Sequence, residues 1–309
     1  MKDKGFLQCE GWYSDQADKF EDLKGTGVDA RKRLITGSKT VELAGALKLD
    51  IAQQHKLIPD GVAVTLRCIR HNSEFPLLDL APEAAAGAPS NYGKYRVDIS
   101  NAVLRVRKVE LSPPEHLRLI KEIRTAPFKI PIRRADVTSQ SIPADLQSKK
   151  IERLYEGQMP RLLFVTFVKG SAYSGGQKEN PFLFNTFDLK EIQCYCNGAA
   201  IPSTPYQPDF ANGNYVETYL GMQQAIGSYR MEHGPDISYG DFSKGNAIYA
   251  FNITPITNCE FVNPIQNGNI SIEMKWASAL KAPINIIIYA EYDSVIYINE
   301  SRQVSTDYQ

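Results

Sequence analysis

The sequence predicts an all-β protein, a Greek-key or jelly-roll β-sandwich with one short linking helix, on three observations. Short segments alternate apolar and polar residues at period two along most of the chain, the mark of strands with one wet face. Asn-Gly pairs and Pro/Gly clusters punctuate those segments, as turns require. Helical periods never alternate regularly with the strands, so a parallel doubly wound sheet is disfavoured.

The elements follow in chain order. Residues 1–40 are polar, without a sustained period, and read as an arm or irregular segment. Arg31-Lys32-Arg33 within them reads as a solvated charge run. Residues 41–112 show about four strand patterns. Val62, Val64, Leu66 and Cys68 line one face, and Phe75–Leu80 is a short apolar run. Ala81 to Gly93 reads as a loop, and a stretch from Tyr95 to Val109 bends near Ser100-Asn101. Ser112-Pro113-Pro114-Glu115 then matches a capping box with Pro at the first helical position. A helix is expected over 113–126, with His116, Leu117, Leu119, Ile120 and Ile123 on its apolar side and Pro127 closing it.

Residues 127–309 read as a complete second unit. Its eight expected strands are Phe128–Ser141, Arg161–Val168, Phe187–Cys196, Ala199–Pro202, Ala247–Ile253, Asn269–Ala277, Ile284–Glu291 and Ser294–Asn299. The clearest places Ile270, Ile272, Met274 and Trp276 inward and Ser271, Glu273 and Lys275 outward. Asn197-Gly198 suits a type I′ hairpin turn, and Asn212-Gly213 and Asn267-Gly268 are further turn signals. Tyr215–Ile226 is expected to be helical within a long insertion.

Bulk properties narrow the function. Hydrophobic residues are 43% and charged residues 23%, which suits a packed chain rather than a disordered one. Lys plus Arg and Asp plus Glu are both 35; up to Ala126 the counts are 20 and 17, leaving 15 and 18 after it. Neither half has the basic excess of a nucleic-acid binder, so no specific nucleic-acid partner is expected. No apolar run is long enough for a membrane span, and Met1 to Glu10 lacks a signal-peptide core. Cys9, Cys68, Cys194, Cys196 and Cys259 are odd in number and form no CxxC, so they read as reduced thiols. The Asn-x-Ser/Thr triplets at Asn252, Asn269 and Asn299 are then chance matches.

Chemistry-bearing patterns are sparse. His55, His71, His116 and His233 lack ligand spacing, and Cys194-x-Cys196 reads as a pair of small packed side chains. Phosphate-binding and nucleophile-elbow motifs are missing, and Ser174-Gly175-Gly176 reads as a flexible loop. A carboxylate pair such as Glu273 and Glu291 would be needed for a glycan-active enzyme, but both read as outward charges. Arg133-Arg134 could meet an anion or a neighbouring subunit, or form a salt-bridged sheet edge. We therefore expect no enzyme, cofactor, metal or small-molecule substrate. The 16 tyrosines are more suggestive, since Tyr173, Phe182, Phe184, Tyr206, Phe210, Tyr215, Tyr219 and Tyr239 fall in expected loops or edges. They suit either an interface or the packed ends of the sandwich.

An ordered series of segments adds a resemblance. It runs Arg105-Val106-Arg107-Lys108-Val109-Glu110-Leu111-Ser112-Pro113, Ile130-Pro131-Ile132-Arg133-Arg134, then Gly157-Gln158-Met159-Pro160. It continues with Asn180-Pro181-Phe182-Leu183-Phe184, Pro205-Tyr206-Gln207-Pro208-Asp209-Phe210, Ile248 to Pro255, and Ile288-Tyr289-Ala290-Glu291-Tyr292. Over roughly residues 55–300 this series resembles virus-like capsid proteins of Maverick/Polinton elements and the related adintoviruses. The resemblance implies a double jelly-roll major capsid subunit that assembles through trimers with other capsid subunits, with residues 41–112 as a partial first roll. It implies location in the virion, after synthesis in the host cytoplasm and assembly there or in the nucleus. It also implies subunit contacts through Asn180, Pro181, Phe182, Phe184, Tyr206, Pro208 and Phe210. The first unit departs from the pattern, with about four strands where a full roll has eight, so we expect its N-terminal portion to be missing. The alternatives are a penton-like single jelly roll and a ligand- or carbohydrate-binding sandwich module.

Overall fold

A computed structural model describes residues 4–22, 24–72, 75–80, 95–228, 235, 237–254 and 265–308. The first elements are α1 (Lys4–Cys9) and α2 (Thr26–Ile35), and the next is α3 (Pro113–Thr125). The sandwich follows: β1 (Phe128–Ile142), β2 (Ser148–Gln158), β3 (Leu162–Lys169), α4 (Gly170–Tyr173), β4 (Leu189–Cys196) and β5 (Ala199–Tyr206). It is completed by α5 (Val216–Ala225), α6 (Tyr239–Phe242), β6 (Tyr249–Asn252), β7 (Asn267–Trp276), β8 (Ile284–Ile298) and β9 (Val304–Thr306).

Two antiparallel sheets form, in the orders β1-β8-β3-β6 and β2-β7-β4-β5, with β9 added beside β8. The pairing is nested. β1 lies beside β8, β2 beside β7, β3 beside β6 and β4 beside β5. One long hairpin, folded over and wrapped into two layers, gives this order, which is a jelly roll. The expectation of an all-β jelly-roll sandwich is thus met.

Alternation explains how the layers close. Ile270, Ile272, Met274 and Trp276 of β7 are buried, with Glu273 and Lys275 on the other face. Across the sandwich, Ile284, Ile286, Ile288, Ala290 and Tyr292 of β8 supply the facing surface. Phe167 of β3 meets Trp276 edge-on at 6.0 Å and Tyr249 at 5.8 Å between ring centres. Each large side chain buried this way contributes about 1.5–3 kcal/mol relative to an exposed one. A satellite cluster of Ile130, Ile132 and Ile298 receives Ile58 and Val62, which ties the N-terminal stretch to the roll.

Several local expectations hold. Asn197 and Gly198 both take positive φ, 50° and 83°, in the β4–β5 hairpin. Asp209 and Asn214 bridge a turn containing Gly213, and α5 matches the expected helix. Others need correction. The two strands expected at 284–291 and 294–299 are one continuous β8, because the intervening Tyr292 and Asp293 keep the register with β1. Asn267-Gly268 is no turn but the start of β7, where Gly268 pairs with Gly157. The edge strand β2 was not expected at all. Ser112 sits at the N-cap of α3 without any side-chain cap bond; the fixed φ of Pro113 and Pro114 starts the helix instead.

The N-terminal third differs more. Residues 4–40 hold two helices rather than an irregular arm. Arg31 donates to both carboxylate oxygens of Asp15 at 2.9 and 2.8 Å, and Arg33 pairs with Asp29, so two cations of the basic triplet are engaged. Glu21 accepts from the Asn180 amide at 2.7 Å, fixing this segment to a loop of the roll. Gly245, at φ 90°, leaves the space there that Phe20 and Leu183 fill. The strands expected between residues 41 and 112 do not form among the described residues, which join no ladder and turn at 50–56, 60–61 and 75–76. Strands need partners, and among the described residues the stretch makes only isolated backbone bonds, such as Asp79 N–H to the Gln177 carbonyl at 2.7 Å. The loop expected over 81–93, His233, Cys259 and Pro255 lie outside the described residues.

Candidate functional site

The surface of the roll was searched for chemistry first. Among the described residues no group of three or more His, Cys, Asp or Glu side chains could hold a metal ion. Cys194 is buried, and desolvation pushes its thiol up to about 12, far from the thiolate a nucleophile needs. Cys196 lies 3.7 Å from the Met159 sulfur. Glu273 faces outward from one sheet, where Tyr195 donates to it, whereas Glu291 belongs to β8 of the other sheet. The two carboxylates cannot flank a common substrate.

Arg133 and Arg134 are both engaged. Arg133 lies 3.7 Å from Glu291 and from Asp293, and Arg161 pairs with Glu291 and, at 3.9 Å, with Asp293. Arg161 and Asp293 are nearly fully buried, so this is an internal charge cluster rather than a docking patch. Arg134 stacks on Tyr292 and Tyr308, at 4.1 and 4.6 Å from the ring centres, and donates to Gln158. The salt-bridged reading is the one the geometry supports for Arg133, whereas Arg134 is held by aromatic stacking and a hydrogen bond.

The seven residues expected at a subunit contact do not form one exposed patch. Phe182 is 65% exposed and rests edge-on against Phe75. Asn180, Pro181, Phe184 and Phe210 are half-buried. Pro208 is buried, as is Tyr206, which packs on Phe251 and donates to the Ala250 carbonyl. Phe210, Tyr215, Tyr219, Tyr239 and Phe242 form an aromatic cluster of their own, with Tyr215 and Tyr239 stacked at 4.4 Å. Of the loop aromatics, Tyr173 and Phe182 face solvent substantially.

Two apolar surfaces went unnoticed in the sequence. One is a cleft of about 330 Å³ on the outer face of the β1-β8-β3-β6 sheet, lined by Val137, Phe164, Ile287, Tyr289, Met222 and Ile237 among others. The unbroken Ile286-Ile287-Ile288 was its signal, since a strand wetted on one face would alternate there. The other is the stretch before α3, whose apolar residues the sequence places in strands and not on an open surface. Val64, Leu66, Ile69, Ile99, Val103, Leu104, Val106, Val109 and Leu111 are all exposed. On α3, Leu117 is exposed and Ile123 alone is buried.

No family model matches the chain. The uncharacterised Caenorhabditis elegans protein F54H12.2 is 25% identical over 283 residues, which is 88% of this chain and 64% of that protein. The chain thus spans less than two thirds of that relative's length. Among solved structures, PBCV-1 VP54 fitted into a reconstruction of the Sputnik virophage has a TM-score of 0.43 at 13% identity, covering 64% of this chain and 55% of that one. The Faustovirus major capsid protein has a TM-score of 0.39 at 11% identity, covering 60% and 36%. The mavirus major capsid protein has a TM-score of 0.31 at 10% identity, covering 59% and 41%.

Proposed function

We propose that this chain is a non-enzymatic capsid-type building block of the Maverick/Polinton kind, working by self-association. The observation that carries the reading is where the resemblance segments fall on the roll. Ile130 to Arg134 lies on β1, Gly157 to Pro160 ends β2, and Asn180 to Phe184 precedes β4. Pro205 to Phe210 ends β5, Tyr249 to Asn252 is β6, and Ile288 to Tyr292 lies within β8. Six of the seven segments thus build successive strands and corners of one roll, and the seventh, Arg105 to Pro113, leads into α3 before it.

The chemistry agrees with a structural role. Cys194 is buried in the core and Arg133, Arg134 and Arg161 are engaged by neighbouring side chains, and a capsid subunit needs a stiff sandwich with sticky surroundings. In this reading residues 127–309 are the complete roll, 113–126 the link, and 41–112 part of a first roll. Copies join as a homotrimer, with Phe182 as the exposed anchor among the loop residues, and take their place in a virion beside other capsid subunits. Native mass spectrometry of the full chain is expected to give trimers. Pentamers would favour the penton-like alternative, and monomers throughout would overturn self-association.

A further inference from the structure

We propose that residues 64–69 and 95–111 are strands of an intermolecular sheet, formed by pairing with the same region of a neighbouring copy of this chain. The proposal rests on the self-association reading and deepens it by naming the segment through which copies join.

Pattern and environment disagree in this stretch. Val64 and Leu66, then Val97 and Ile99, then Leu104 and Val106 repeat at the period of a half-buried strand. Yet no backbone hydrogen bond joins 64–69 or 95–111 to another described residue. A segment of strand-like pattern with exposed apolar side chains and no backbone bonds to other described residues is a template for another strand.

The area is sufficient. Val64, Leu66, Ile69, Tyr95, Ile99, Val103, Leu104, Val106, Val109 and Leu111 range from 39% to 79% exposed. Together they present on the order of 1,000 Å², above the roughly 800 Å² per partner of a standard stable interface. The roll cannot absorb them, because its eight strands already close the core, with Phe167, Tyr249 and Trp276 at its centre fully buried. Seating of Ile58 and Val62 on the Ile130 cluster holds the start of the stretch, so it leaves the roll from a fixed point. A second copy offers the same apolar pattern from the same anchor. Symmetric pairing therefore matches apolar face to apolar face, through a twofold or a closed ring.

The test uses the full chain in three forms: wild type, Val64→Lys with Val106→Lys, and Phe182→Asp. Sedimentation velocity reads association, hydrogen exchange reads the two segments, and circular dichroism reads the roll. The expected result is a wild-type oligomer whose 64–69 and 95–111 amides exchange slowly and speed up on dilution. The lysine pair should weaken association at least tenfold and leave the roll's spectrum intact. An oligomer weakened by Phe182→Asp but not by the lysine pair would overturn this proposal and leave self-association standing. Fast exchange of both segments inside a wild-type oligomer would overturn it too, even if the lysine variant failed to fold. A wild-type monomer at every concentration would sink both readings and leave additional polypeptide, such as the relative's greater length provides, as the partner.

Discussion

At the residue scale, the decisive feature is how little reactive chemistry the roll leaves free. Cys9 and Cys68 are exposed whereas Cys194 is buried with its thiol pushed up to about 12 by desolvation. A thiol reagent at neutral pH should therefore label Cys9 and Cys68 and spare Cys194 until denaturant is added, as peptide mass spectrometry would read. Labelling of Cys194 in the native chain would contradict its burial. The Arg161 cluster makes a sharper prediction. Arg161→Ala leaves Glu291 and Asp293 with a weakened set of positive partners, and breaking a buried pair this way costs about 3–5 kcal/mol. Urea denaturation should show that loss; a cost under about 1 kcal/mol, as at an exposed pair, would mean the cluster is solvated. Trp276→Ala, which empties the centre of the core, should cost a similar amount, about 3–5 kcal/mol.

At the element scale, β4 and β7 show how a wet face supports the sheet. Lys275 donates to Glu191 at 2.6 Å and Gln207 donates to the same carboxylate at 2.9 Å; these hydrogen bonds hold the Glu191 carboxyl below its ordinary value. A folded-state value below the unfolded one means that protons bind the unfolded chain more tightly. Its contribution is thus complete above the ordinary value of 4.5 and is lost as pH falls through the lower folded value. Glu191→Gln should flatten that part of the acid side of a stability–pH curve, and an unchanged curve would show the pair is screened away. Legibility also divides at this scale. β7 was readable because its faces differ residue by residue, and the Asn197-Gly198 hairpin because only residues tolerant of positive φ fit it. The edge strand β2 was not, since Ser148-Lys149-Lys150-Ile151-Glu152-Arg153 is mostly polar and its register shifts between Ile151 and Tyr155, with Arg153 at φ 52°. An edge strand with a bulge loses its period where the sequence would have to show it.

At the scale of the whole molecule, the roll and the stretch before it obey different logics. The two sheets of the roll bury their inner apolar faces against each other, so the sandwich was legible from local pattern. Which strand pairs with which was not, because nesting β1 with β8 joins residues more than a hundred positions apart. The outer apolar cleft at Val137, Phe164 and Tyr289 was hidden for the same reason: three strands from distant parts of the chain build it. The stretch at 64–69 and 95–111 reads as strands and has no backbone pairing with other described residues, and it is this stretch that we propose joins the copies. Sedimentation velocity of the full chain, run from dilute to concentrated solution, tests that central claim most directly. The account predicts one discrete symmetric oligomer that dissociates on dilution; a single monomeric boundary at every concentration would contradict it.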